Sequence, residues 1–177
     1  DGAPADPDLP GAVLTTADLP AGFSELSPED FASLGLDESV ITGAFGEVLQ
    51  NAQPQSLRGF VNRQSFEVVV CYVLAPLTLV ERAAFDAFLS NPQNVVERFS
   101  GMSASVMDGM EDIGDSSVGV TFTTGQSPSL VRGDVAIWRR SNVVTASMVF
   151  YLDGSTPIFS LRQAADLMDA RISAALK

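Results

Sequence analysis

Trp138-Arg139-Arg140 is the densest recognition chemistry in the chain. Tryptophan and arginine are the side chains most enriched among interface anchors. In an extended strand Val135, Ile137 and Arg139 share one face, and Ala136, Trp138 and Arg140 share the other. The run reads as a binding surface. Its plainer reading is a partly buried Trp138 capped by hairpin-end arginines that pair with the acidic first third. Asp108, Glu111, Asp112 and Asp115 lie close together, and oxygen ligands at such density suit Ca²⁺. Their spacing departs from the helix–loop–helix calcium pattern, and Gly109 and Gly114 point to turns with solvated carboxylates. These four acids stand as weak metal candidates, and no metal is assigned.

Gly114-Asp115-Ser116 matches the triplet of one class of serine esterases. Those enzymes need a histidine to take the serine proton, and the chain has no His. The triplet therefore reads as a turn entering a strand at Val118. The same deficit removes imidazole-bound zinc and the usual general base near neutrality. Cys71 is the single cysteine, so neither an intrachain disulfide nor a thiolate cage can form, and its apolar surroundings suit a buried, inert thiol. A Ser–Lys dyad would have to use Lys177, the last residue. The chain has 22 acids, so some pair of carboxylates is inevitable and does not single out glycoside hydrolysis. No catalytic residue and no cofactor is assigned.

The charge is uneven. Up to Leu57 there are ten acids (Asp1, Asp6, Asp8, Asp18, Glu25, Glu29, Asp30, Asp37, Glu38, Glu47) and no base, a net of −10; the remainder, at −2, completes the total of −12. An acidic cap on a nearly neutral body keeps a protein soluble, and it also selects a basic protein partner. A pI near 4.1 argues against nucleic acid, whose binding rests on lysine and arginine. Residues 1–11 (DGAPADPDLPG) read as a flexible leader and residues 12–177 as one domain. The longest apolar run, Val68 to Leu77, is too short to span a bilayer. A Pro/Ala/Asp tether without an initial Met reads as an exported, extracytoplasmic chain that has lost a signal or membrane anchor.

The elements that must position these residues follow from caps and periodicity. Ser27-Pro28-Glu29-Asp30 opens a short helix stopping at Gly35. Thr78…Glu81 and Ser160…Gln163 are capping boxes. The first starts a helix interrupted at Asn91-Pro92 and resumed beyond it. The second starts a helix running to the C-terminus, with Leu161, Ala164, Ala165, Met168 and Ile172 on one face. Asp37 to Asn51 also has helical spacing, weakened by Gly43 and Gly46. Strands are expected at 57–61, 66–75, 118–123, 131–139 and 143–152, with weaker ones at 12–16 and 104–107. Both faces of 66–75 are apolar, which places that strand at the centre.

The stretches Ile113-Gly114-Asp115-Ser116-Ser117-Val118-Gly119 and Val135 to Val144 resemble exported bacterial single-domain proteins, often lipoproteins. In that group an Ile-Gly-Asp turn leads into a strand, a Phe-Arg-Arg-Gly-Asn-Val-Val hairpin follows, and a closing helix carries Leu-Asp-x-Arg-Ile. Here Trp138 stands for the Phe and Ser141 for the Gly, and the helix reads Leu167-Met168-Asp169-Ala170-Arg171-Ile172. The element order is also similar to the Mog1/PsbP-like α-β-α sandwich. The resemblance implies a fold and carries over no catalytic residues. The expectation is an α+β domain with a central antiparallel sheet and helices on both faces. Its expected role is a non-catalytic binding or assembly module acting through protein contact. A carrier of a small apolar ligand or lipid is the alternative, and a carboxylate-dependent hydrolase the third reading.

Overall fold

The computed structural model describes residues 9–33, 53–126 and 129–177. Alternating apolar residues build most of what is seen. The strands are β1 (Phe23–Glu25), β2 (Gln53–Asn62), β3 (Glu67–Ala75), β4 (Ser103–Met107), β5 (Ser116–Gln126), β6 (Ser129–Arg140) and β7 (Val143–Leu152). They form one antiparallel sheet in the order β1-β2-β3-β7-β6-β5-β4. The helices are α1 (Pro28–Ser33), α2 (Leu79–Leu89), α3 (Gln93–Val96) and α4 (Leu161–Ala175).

Strand alternation divides the core in two. Val69, Cys71, Val73, Ala136, Trp138 and Val149 face α4, whose Leu161, Ala164, Ala165, Met168 and Ile172 cover them. Leu9, Val13, Leu14 and Leu19 close the same layer. Val70, Tyr72, Leu74, Val120, Val135 and Ile137 face the other way, toward Phe85 and Leu89 of α2, Val95 of α3 and Phe31 of α1. Phe85, Val95, Trp138, Met168 and Ile172 are 0% exposed. Burial of a large apolar side chain is worth roughly 2–3 kcal/mol, so these contacts outweigh any single surface ion pair.

The expectation of an α+β domain with helices on both faces is corrected. Among the described residues the seven-stranded sheet dominates, with one long helix, α4, on one side. The helices described over the opposite core are α2 and two short ones, of six residues (α1) and four (α3). The sequence reading ended strands where apolar alternation stopped. Ladder bonds carry β2 through Gln53–Ser56 and β5 through Thr124–Gln126, polar stretches held by their neighbours.

Three smaller differences follow from tertiary packing. Leu9 is buried and Pro10–Ala12 forms a 3₁₀ turn, so the packed body begins before the expected end of the leader. The expected strand at 12–16 is instead chain laid across α4, where Arg171 donates to the Val13 carbonyl at 2.9 Å. β1, which the sequence reading lacked, pairs Phe23 with Asn62. The helix expected at Asp37 to Asn51 lies outside the described residues. The capping boxes are present as expected: the Glu81 and Gln163 backbone N–H groups donate to the Thr78 and Ser160 hydroxyls. No helix among the described residues is long and apolar enough to cross a membrane.

Candidate interaction surface

The Trp138-Arg139-Arg140 run ends β6, and alternation sends its side chains to opposite layers. Trp138 is 0% exposed beneath α4, so it belongs to the core rather than to a surface. Its indole Nε1 finds no acceptor among the described residues, a cost of about 1–3 kcal/mol that the packing of so large a ring offsets. Gly114 lies against it with φ of 67°; a Cβ there would come within 2.9 Å of Trp138 Cδ1 and 2.4 Å of the Arg139 carbonyl. The Ile113-Gly114-Asp115 turn thus needs glycine to press onto β6. Asp115 N–H then donates to the Arg139 carbonyl at 2.7 Å.

The two arginines are clamps. Arg139 reaches α2, donating through Nε and Nη2 to both oxygens of Asp86 at 2.8 and 2.9 Å. Its Nη1 donates to Asp115 at 3.0 Å and to the Ser141 carbonyl at 2.7 Å. Arg140 points to the other layer and grips Asp169 of α4 in the same two-pronged way. Such forks are the strong form of the ion pair. The Arg139 side chain is 12% exposed. The hydrogen bonds it donates to Asp86, opposed by burial, raise its pKa further. Burial would raise the carboxyl of Asp86, but the hydrogen bonds from Arg139 and Ser116 outweigh it and hold that group below its ordinary value. The binding surface expected at Trp138, Arg139 and Arg140 is therefore corrected to an internal fastening. The clamps' partners are Asp86, Asp115 and Asp169, not acids of the first third. Of those acids, Asp18 pairs with Arg171 and Glu25 with Arg58.

The four acids of the β4–β5 connection also separate in role. Asp115 is drawn to Arg139 and accepts from Ser141 N–H at 2.7 Å. Asp112 accepts from Arg162 at 2.6 and 3.1 Å. Glu111 caps its own turn, accepting from Gly109 N–H at 3.0 Å. Among the described residues no arginine reaches Glu111 or Asp108, and no group of three metal-ligating side chains gathers. Cys71 lies beside Ser147 in the core, and burial pushes its thiol up to about 12, which keeps it protonated and unreactive. The buried carboxylates each have their own donors. Glu67 accepts from Ile158 and Phe159 N–H, and Asp134 accepts from Thr121 and Tyr151 hydroxyls.

What remains open to a partner is the edge of the sheet. β4 is terminal in the strand order and pairs only with β5 among the described residues. Ser103, Ser105 and Val106 are exposed, Val106 at 37%. The strand carries no lysine, no proline and no charge, the devices that usually blunt an edge. The opposite edge, β1, is three residues long. Alternation predicts a weak strand at 104–107, but no local signal marks which strand of a sheet lies outermost. No protein-family model and no curated protein matches the chain.

Proposed function

We propose that this chain is an exported, non-catalytic binding or assembly module, acting through protein contact along the β4 edge. The observation that carries this reading is that, among the described residues, β4 is terminal and pairs on one side only, with β5. The N–H and C=O groups of an edge strand are a ready template for an added strand. Arg139 and Arg140 are engaged in fastening helices, and the buried Glu67 and Asp134 hold a loop and two hydroxyls.

The test is amide hydrogen exchange on residues 103–107, with and without an alternating Thr/Val decapeptide. Binding should slow exchange along β4 and spare β1. Val106→Lys, which places a charge on the edge, should abolish the slowing while leaving the melting temperature within a few degrees. Unchanged β4 exchange at millimolar peptide, or equal protection in Val106→Lys, would remove the reading.

A further inference from the structure

The acids at the end of β4 specify what kind of strand fits. We propose that β4 takes an extended protein segment antiparallel to itself, with the segment's N-terminal residues basic and seated against Asp108 and Glu111. This rests on the reading of β4 as the binding edge and adds direction and charge to it.

Direction comes from the sheet, in which every strand pair is antiparallel; an added strand that continues the pattern runs against β4. Its N-terminal end then lies where β4 finishes, at Met107. Asp108 follows at once, and Glu111 folds back over Gly109. Of the neighbouring carboxylates, Asp112 shares Arg162 with Asp166 and Asp115 shares Arg139 with Asp86; Arg162 also donates to the Gly109 carbonyl at 2.8 Å, but among the described residues no arginine pairs with Asp108 or Glu111, so the turn keeps an excess of acid. Both are exposed. The other end of β4 offers no such pull. There Glu97 and Arg98 are adjacent and opposite in sign, and the Arg98 guanidinium lies 5.6 Å from the centre of the Phe88 ring. The edge is therefore acidic at its end and near neutral at its start. A net charge of −12 on each chain disfavours a second copy as occupant and speeds the approach of a cationic one.

Three peptides of equal length separate the two readings: Lys-Arg-Lys followed by alternating Thr/Val, the same residues in reverse order, and a neutral version. Affinity is read by fluorescence anisotropy at low salt, and position by exchange protection on residues 103–107. The basic-first peptide should bind about fivefold more tightly than its reverse. That preference should vanish in Asp108→Asn/Glu111→Gln, which keeps the turn's acceptor, and fade at about 0.5 M salt. Equal affinity for the two orders, or a preference that survives the double variant, overturns the inference while leaving the edge reading intact. Protection of β4 by none of the peptides overturns both. Self-association through β4, seen as a concentration-dependent mass in sedimentation and lost in Val106→Lys, replaces the basic segment with a second copy.

Discussion

At Ser141 a side chain sits where the backbone favours none. The residue has φ of 55°, in the left-handed region, at the tip of the β6–β7 hairpin. A positive φ is a conformation glycine adopts freely and a Cβ disfavours. Both bonds of Ser141 to its surroundings use the main chain, the N–H to Asp115 and the carbonyl to Arg139, so glycine would keep them. Ser141→Gly should therefore stabilise the protein by about 0.5 kcal/mol, the relief of left-handed strain less the added freedom of the unfolded chain. Urea denaturation checks this, and a lowered midpoint would show that the serine hydroxyl contributes something the hairpin geometry does not reveal. Phe66 shares the left-handed conformation, with φ of 55°, just before β3. Its ring is 67% exposed, and nothing in the structure explains why an aromatic residue occupies that turn.

At the scale of elements, consecutive arginines fasten the sheet to helices on opposite sides. Alternation makes this possible, since neighbours on a strand can serve two layers at once. Arg140 holds Asp169 in mid-helix on α4, and both side chains are largely shielded, at 29% and 15% exposure. Removing one partner leaves the other charge poorly solvated, which costs more than the pair contributes when intact. Arg140→Ala should lower stability by about 1–3 kcal/mol, with Arg140→Lys between it and the parent because an ammonium cannot fork. Chemical denaturation of Arg140→Ala, Asp169→Asn and the double variant, set against the parent, gives the coupling directly. Purely additive losses would mean that the clamp is ornamental and that α4 is held by Met168 and Ile172 alone.

At the scale of the whole molecule, carboxylates that grip arginines make folding depend on acid. Burial would raise Asp18 as it does Asp86, yet hydrogen bonds from Arg171 and Thr15 keep Asp18 below its ordinary value. A carboxyl depressed in the folded state adds stability that is complete above the unfolded carboxylate range and is lost as pH falls through the folded pKa. The melting temperature should therefore drop as pH falls below about 4. Asp86→Asn should start lower at pH 7 and lose less on acidification than the parent. Thermal melts at closely spaced pH values test the pair, and parallel curves for parent and variant would detach acid sensitivity from the Arg139 clamp. Tyr151 behaves with the opposite sign. Burial and the hydrogen bond to Asp134 push its hydroxyl up to about 12, so its contribution is complete below the ordinary tyrosine pKa and is lost as pH rises from there through about 12.

Much of this was legible in the sequence because it is local. A serine or threonine three residues before Glu or Gln satisfies the first N–H groups of a helix wherever the helix ends up, so α2 and α4 could be placed from Thr78 and Ser160. Period-two alternation located β3, β6 and β7, and the two apolar faces of Val68 to Ala75 required neighbours above and below. The lack of histidine fixed the chemistry that is missing, whatever the fold. Strand order was another matter: it depends on pairings between residues far apart in the chain, and only those pairings put β4 outermost and extended β2 and β5 into polar sequence. The same holds for Trp138, Arg139 and Arg140, whose residue types promised recognition in either setting. Whether such side chains meet a partner or one another depends on which carboxylates the fold brings within reach, and Asp86, Asp115 and Asp169 arrive from three different elements and loops.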